Sequence, residues 1–324
     1  MWYDFTQNAV TKGLAVPFRS ATYTVDTPIP AFLFVMRTFD LPMAEAQRVV
    51  GKGRLLQNGR AITNPGETIC GEVEVVRFVP APKGKRPLLA TSDFAVFDKP
   101  SGVLVHPNKT ETPYSMLDEI RALYGDNANA VHRIDMETSG LLLVSRHKRA
   151  ETLLKGAFEH KRIQKSYLAW VHGRIDAPFE VDAPILKNDD YSRTKHKVFV
   201  HPDGKAAHTR FEPLHYDAEH DATLLACYPL TGRTHQIRIH LFHVKHPILG
   251  DPFYTCDFAT ASAYLDGALS PEERLLYTGS ARLMLHAHTL RFTYENTPVY
   301  VESRYDFEGD RGHIAVKREL VVGY

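Results

Sequence analysis

The run His132-Arg133-Ile134-Asp135-Met136-Glu137-Thr138-Ser139-Gly140 sets one carboxylate, Asp135, between a strand-like segment and a turn, after which the apolar run Leu141-Leu142-Leu143-Val144 resumes. A carboxylate on a tight connection between buried strands is held rigidly yet stays accessible, which suits a reacting group. The same pattern describes a turn-forming aspartate accepting from the Thr138 and Ser139 backbone, and local sequence does not choose between the two. A second cluster, Thr231-Gly232-Arg233-Thr234-His235-Gln236-Ile237-Arg238-Ile239-His240, continues through His243 and His246 to Asp251. Arg233 and Arg238 each offer a planar fork to a carboxylate or a phosphate, and an arginine beside Asp135 would keep that carboxylate ionised. The histidines could instead ligate a metal, although their spacing matches no standard zinc motif. A third feature is Tyr167 in the strand-like run Gln164-Lys165-Ser166-Tyr167-Leu168-Ala169-Trp170. Such a tyrosine either packs in a core or presents a face on which an unstacked base can lie.

These residues sit in a chain of 324 residues, 44% hydrophobic and 24% charged, long enough for one large core or two domains. No stretch approaches the roughly 18 apolar residues of a membrane span, and the opening residues lack a basic segment followed by an apolar run, so a soluble cytoplasmic protein is expected. Cys70, Cys227 and Cys256 form no CxxC pair, which suggests neither a disulfide framework nor a cysteine-built zinc site. The net charge of +1 argues against binding of nucleic acid by bulk electrostatics over the whole surface. Any such contact must be local, at Arg193 to Lys197 with Lys205 and Arg210, or at Arg146 to Arg149 with Lys155, Lys161, Arg162 and Lys165, and each cluster also fits a plain solvated face.

The elements that must position these groups are read from periodicity. Proline, glycine and positive charge crowd together at residues 79–87, which predicts a linker. Before it, residues 43–50 have helical composition, Asn58-Gly59 signals a tight turn, and residues 70–76 alternate as a strand. Beyond it, helices are predicted at 116–124 and 148–158, and strands at 93–97, 130–134, 141–144, 167–171, 198–200, 222–230, 283–292 and 299–302. Strands outnumber helices without regular alternation, so the expected class is α+β with a mixed or antiparallel sheet.

Four segments together resemble the RluA-type pseudouridine synthase family: Phe97-Asp98-Lys99-Pro100-Ser101-Gly102-Val103-Leu104-Val105-His106-Pro107, the run from His132 to Leu143, Lys165-Ser166-Tyr167-Leu168-Ala169, and residues 231–241 with Pro247-Ile248-Leu249-Gly250-Asp251-Pro252-Phe253-Tyr254. Their order and separations also fit. The block from Pro30 to Val79 resembles the small RNA-binding module of ribosomal protein S four, through Ala46-Gln47-Arg48 and Gly51-Lys52-Gly53-Arg54-Leu55-Leu56-Gln57-Asn58-Gly59, with Phe32-Leu33-Phe34 in place of the usual Arg-Leu-Asp opening. The resemblance implies a small α/β RNA-binding domain (30–79) and a catalytic domain with a mixed, largely antiparallel sheet (93–324), which leaves residues 80–92 as the linker and 1–29 as an N-terminal extension that resembles neither module. It implies that Asp135 is the essential aspartate, that Tyr167 stacks on the target base and assists proton movement, and that Arg238 pairs with Asp135. Arg133, Arg233, His235 and Gln236 fall to RNA contact or support, as do Lys52 and Arg54 in the N-terminal block. The reaction needs no cofactor and no metal, and the partner is RNA, with large-subunit ribosomal RNA favoured over transfer RNA and a monomer expected. On this basis Arg238→Met is expected to lose activity while leaving the fold intact. The rivals are a catalytically silent RNA-binding or ribosome-assembly protein and a histidine-dependent metallohydrolase.

Overall fold

The structure, a computed structural model, describes residues 17–190 and 194–310. The contacts divide the chain into two units, residues 1–84 with 106–122, and residues 85–105 with 123–324.

In the first unit β1 (Phe18–Pro30), β4 (Thr68–Phe78), β2 (Leu55–Gln57) and β3 (Arg60–Ile62) form an antiparallel sheet in that order, with α1 (Ala31–Phe39) and α2 (Met43–Gly51) between β1 and β2. Ala31, Phe34, Val35, Ala46 and Val50 from the helices meet Leu55, Ile62, Ile69, Val73 and Val75 from the strands in one core. Asn58 (φ 52°) and Gly59 (φ 75°) close the β2–β3 hairpin, where both central residues need positive φ. β1 starts at Phe18 and pairs with β4 through ten residues, so part of the stretch read as an extension is an outer strand of this sheet.

The second unit is built on one large sheet in the order β10-β13-β14-β9-β15-β8-β6-β5. In chain order its strands are β5 (Leu89–Ala90), β6 (Phe94–Lys99), β7 (Asn129–Ala130), β8 (Ser139–Ser145), β9 (Gln164–His172), β10 (Phe179–Asp182), β13 (His208–Asp217), β14 (Ala222–Pro229), β15 (Leu285–Tyr294) and β16 (Thr297–Glu302), with β7 beside β8 and β16 beside β15. Among the described residues β8 and β15 form the parallel pair and the remaining ladders are antiparallel, which is an α+β fold. β11 (Ile185–Lys187) and β12 (Val198–Val200) form a separate ribbon. The helices of this unit are α4 (Lys148–Glu159), α5 (Gln236–His243), α6 (Phe258–Leu265) and α7 (Pro271–Thr278), while α3 (Met116–Tyr124) falls mostly within the first. No helix among the described residues is long and apolar enough to cross a membrane.

All seven residues of β8 are buried, as a central strand covered on both faces requires. α4 lays Ala150, Leu154 and Ala157 on one side of it with Leu141 and Leu143, and Trp170 anchors a second cluster around β9 and β14. Gly140 permits the β8–β15 approach: its φ is +102°, and a Cβ there would lie 2.2 Å from the Ala287 carbonyl oxygen.

Two local expectations are corrected. The strand predicted over 130–134 stops at Ala130, and residues 131–138 are irregular. They are held from outside, with the Leu143 N–H donating to the His132 side chain at Nε2 (2.9 Å) and the buried Lys99 ammonium donating to the Met136 carbonyl (2.8 Å). Within the stretch read as linker, β5 pairs with β6, because Leu88 and Leu89 find a place against the α4 core. Arg193, in one of the basic clusters, lies outside the described residues.

Candidate active site

Asp135 sits at the centre of the irregular loop that feeds β8, and the loop is pinned on several sides. Lys99, fully buried at the end of β6, donates to the carbonyls of Pro100 (2.9 Å), Val103 (2.7 Å) and Met136 (2.8 Å). Burial pushes its amine down to about 7 against the pull of Glu137 and Asp135, while three carbonyl acceptors match the three N–H bonds that only the ammonium has. On the other flank Glu137 accepts from Arg274 of α7 (2.6 Å) and from the Tyr264 hydroxyl of α6 (2.8 Å). The aspartate is therefore presented by a loop whose neighbours on both sides are bonded down.

The fourth segment becomes a loop and a short helix. His235 takes the left-handed conformation (φ 52°) just before α5, and its Nδ1 bonds the Tyr254 hydroxyl (3.0 Å). A non-glycine residue in this region costs of order 1–3 kcal/mol, so the turn is imposed by its surroundings. It aims Arg238, one turn into α5, at the aspartate. Arg238 NH1 donates to Asp135 Oδ2 at 3.2 Å, while its Nε and NH2 donate to the two oxygens of Asp251 at 2.7 and 2.8 Å. Asp251 is completely buried and also accepts from the backbone N–H groups of Phe253 (2.9 Å) and Tyr254 (3.2 Å). The bidentate partner of Arg238 is thus Asp251, and Asp135 receives its remaining arm. Arg238→Met must then leave a buried carboxylate without its cation, so the substitution is expected to lower stability as well as activity.

Burial acts to raise the Asp135 pKa, and the opposing charges of His235 and Arg238 with the Arg238 hydrogen bond outweigh it, so the carboxyl lies below its ordinary value. His235 Nε2 is 3.6 Å from Asp135 Oδ2, beyond hydrogen-bond range, and burial pushes this histidine down to about 4. Arg238 is therefore the permanent cation. Burial first, and the charge of Asp135 second, push the Tyr167 phenol up, so it carries its proton at neutral pH.

Asp135, Tyr167, Arg238, Arg133, Arg233, His235 and Gln236 all line one cleft of about 1190 Å³ in the second unit. That cleft holds six lysine and arginine side chains against three carboxylates, so a chain of net charge +1 carries a locally positive surface. Arg133 is exposed and makes no hydrogen bond or ion pair among the described residues. Arg233 spends only its Nε, on the Ala206 carbonyl (3.0 Å). Gln236 differs from its expected part: its oxygen accepts from Thr231 (2.6 Å) and the Arg233 N–H (3.0 Å), and its nitrogen donates to the His208 carbonyl (3.0 Å) and Thr209 (2.9 Å). With every donor and acceptor spent inside the protein, Gln236 shapes the Thr231–Gln236 loop and has nothing left for RNA. Lys52 and Arg54 belong to the first unit, where Arg54 lies over the Phe18 ring at 5.2 Å.

Sequence reasoning missed Asp251, Glu137, Arg274 and Tyr264. The signal for Asp251 was present, an acidic residue closing an apolar Ile-Leu-Gly run, but its pairing across thirteen residues is a tertiary fact. The histidines of the same segment have other partners: His240 bonds Thr209 Oγ1 (2.9 Å) and the Ala183 carbonyl (3.0 Å), and His246 bonds the His172 carbonyl (2.7 Å). Among the described residues the group of three ligand atoms close enough to share a metal ion is Asp217, Glu219 and His220, which includes none of them.

Residues 93–243 match the family model described as RNA pseudouridylate synthase. An uncharacterised RNA pseudouridine synthase of Helicobacter pylori (strain ATCC 700392 / 26695) is 37% identical over 86% of this chain and 92% of its own length. The dual-specificity RNA pseudouridine synthase RluA of Escherichia coli (strain K12) is 38% identical over 64% of this chain and 85% of its own. Ribosomal large subunit pseudouridine synthase C of Yersinia pestis is 38% identical over 62% of this chain and 59% of its own. The solved human RNA Pseudouridylate Synthase Domain Containing 1 shares the fold, with a TM-score of 0.55 and 24% identity over 70% of this chain and 86% of that one.

Proposed function

This chain belongs to the RNA pseudouridylate synthase family and is a pseudouridine synthase; we propose that Asp135 is its reacting carboxylate and that its target uridine lies in large-subunit ribosomal RNA. The isomerisation breaks the N1 glycosidic bond, turns the base and joins C5 to the same sugar carbon, with the C5 proton released and N1 regaining one. A target base in folded RNA must leave its stack, at a cost of a few kcal/mol that stacking and backbone contacts offset. Tyr167 supplies the stacking face and, being a neutral phenol beside Asp135, a proton donor. Arg133 and Arg233 offer the backbone contacts, since both have guanidinium N–H groups to spare.

The observation that carries this reading is the ionised carboxylate of Asp135 in a basic cleft, held by a fully buried arginine that a second aspartate locks in place. An ionised carboxylate is what every route requires, whether it attacks the sugar carbon, attacks the base or removes a sugar proton. Ribosomal RNA is favoured over transfer RNA by the likeness to a relative that bears the ribosomal large subunit in its name. It is favoured also by the first unit, which we read as an RNA-binding module like that of ribosomal protein S four. There Lys52 is pushed below its ordinary value by burial and then by Arg54, Arg48 and Arg121, and Arg54 by burial and then by Arg121 and Arg48, a crowding of like charge suited to a polyanion.

Asp135→Asn is expected to abolish tritium release from C5-tritiated uridine in bulk RNA while RNA binding and folding persist, because Arg238 keeps both bonds to Asp251. Undiminished release would end the claim. Pseudouridine maps of RNA from cells with and without the gene separate the two substrates, and a lost site in transfer RNA alone would overturn the ribosomal assignment.

A further inference from the structure

The cleft contains a cation that the protein itself leaves unmatched. Lys165 lies on β9 two residues before Tyr167, so both side chains point to the same side of the strand, and both line the cleft. Its ammonium is near Gly232, where a Cβ would stand 3.5 Å from Nζ, and 5.9 Å from the centre of the Phe158 ring. It also acts on the half-buried His132, whose protonation it opposes. No carboxylate, carbonyl or hydroxyl bonds it among the described residues. Burial sets it apart within its basic cluster: Lys148 and Lys155 pair with Glu151 (3.1 and 2.7 Å), Arg149 pairs with Glu295 (2.6 Å), and Lys161 and Arg162 are exposed to solvent, whereas Lys165 is half-buried.

A half-buried ammonium without a partner is destabilising, and burial lowers the affinity of Lys165 for its proton. A methionine would fill the same space against Phe158 at no such cost. Asp135 does not explain the charge, because Arg238 is its permanent cation and burial alone acts on Lys165. The absence of a side chain at Gly232 leaves the space above Nζ open to the cleft.

We propose that Lys165 is the seat of an RNA phosphate, the one that flanks the extruded uridine, so that Tyr167 holds the base and Lys165 the backbone beside it. The proposal rests on the pseudouridine synthase reading for the identity of the anion. A point-charge ammonium suits a phosphate that needs no bidentate geometry. Arg233, across Gly232 with free N–H groups, is placed to share the load.

The test uses the full chain and an in-vitro transcript of large-subunit ribosomal RNA carrying C5-tritiated uridine. Binding is measured against salt, and tritium release against RNA concentration. Lys165→Met is expected to fold at least as stably as the wild type, to raise KM with little change in kcat, and to lower the slope of log affinity on log salt by about 0.7 to 0.9, the loss of one phosphate contact. Lys165→Arg is expected to restore the slope. An unchanged slope in Lys165→Met, or Lys165→Arg failing as Lys165→Met does while both remain folded, would overturn the proposal. A wild-type chain that releases no tritium but still shows the slope difference would sink the catalytic reading and leave the phosphate seat standing.

Discussion

Replacing Arg238 by methionine separates two functions that one side chain combines. The guanidinium is 2% exposed, its Nε and NH2 satisfy Asp251, and its NH1 reaches Asp135. Without it, Asp251 Oδ1 retains the Phe253 and Tyr254 N–H groups, but Oδ2 loses its partner in a fully buried site. Breaking one side of such a pair costs about 3–5 kcal/mol, a large share of the roughly 5–15 kcal/mol that holds a domain together. At about 2–4 °C per kcal/mol for a unit of this size, the melting temperature should fall by about 10 °C. Adding Asp251→Asn removes the stranded charge while the amide oxygen still accepts the two N–H bonds, so the double variant should recover at least about half of the loss. Activity should stay absent in both, because Asp135 loses its permanent cation either way. Urea unfolding at pH 7 beside tritium release measures the two effects. A single variant within about 1 kcal/mol of wild type, or a double variant no more stable than the single, would refute the pairing argument.

Gly140→Ala forces a Cβ to 2.2 Å from one backbone atom of Ala287 and 2.6 Å from another, so β8 and β15 must part. A loss of more than about 3 kcal/mol is expected by chemical denaturation, and a near-neutral result would show that the parallel pair tolerates displacement. Stability should also fall as pH drops from about 6.5 to about 4. His235 and His240 are pushed to about 4 and His286 to about 3, burial being the first cause in each, so over that window the unfolded chain binds protons that the folded chain refuses. Asp135 and Asp251 lie below their ordinary values, so their contribution is lost only at still lower pH. A urea midpoint flat between pH 7 and 5 would contradict this.

Elements whose side chains obey one period were legible. α3 and α4 have an apolar face, β8 is a short apolar run, and the Asn58-Gly59 turn carries its own chemistry. α5 was not legible, because Gln236, Arg238 and His240 are buried along with Ile237, Ile239 and Leu241, leaving no polar face to set the period. The segment is a helix because tertiary partners satisfy those polar groups. The same cause hid part of the site. Asp135, Tyr167 and Arg238 stand in runs that can be read in the sequence, whereas Asp251, Glu137 and Arg274 matter through partners 13 and 137 residues away. Gln236 shows the converse, a polar residue in the right segment whose bonds are all internal.

How a chain of net charge +1 engages a polyanion follows from which cations are spent. Arg210 faces Glu212 at 3.4 Å, and Arg238 is consumed by two aspartates. That leaves Arg133, Lys161, Lys165 and Arg233 as the cleft cations without a carboxylate among the described residues. Lys52 and Arg54 add two more if the first unit also touches RNA. Four to six phosphate contacts to single-stranded RNA give a slope of log affinity on log salt of about −3 to −4. A markedly steeper dependence would mean that cations outside these six carry the binding, and that the cleft is not where most of the RNA backbone is held.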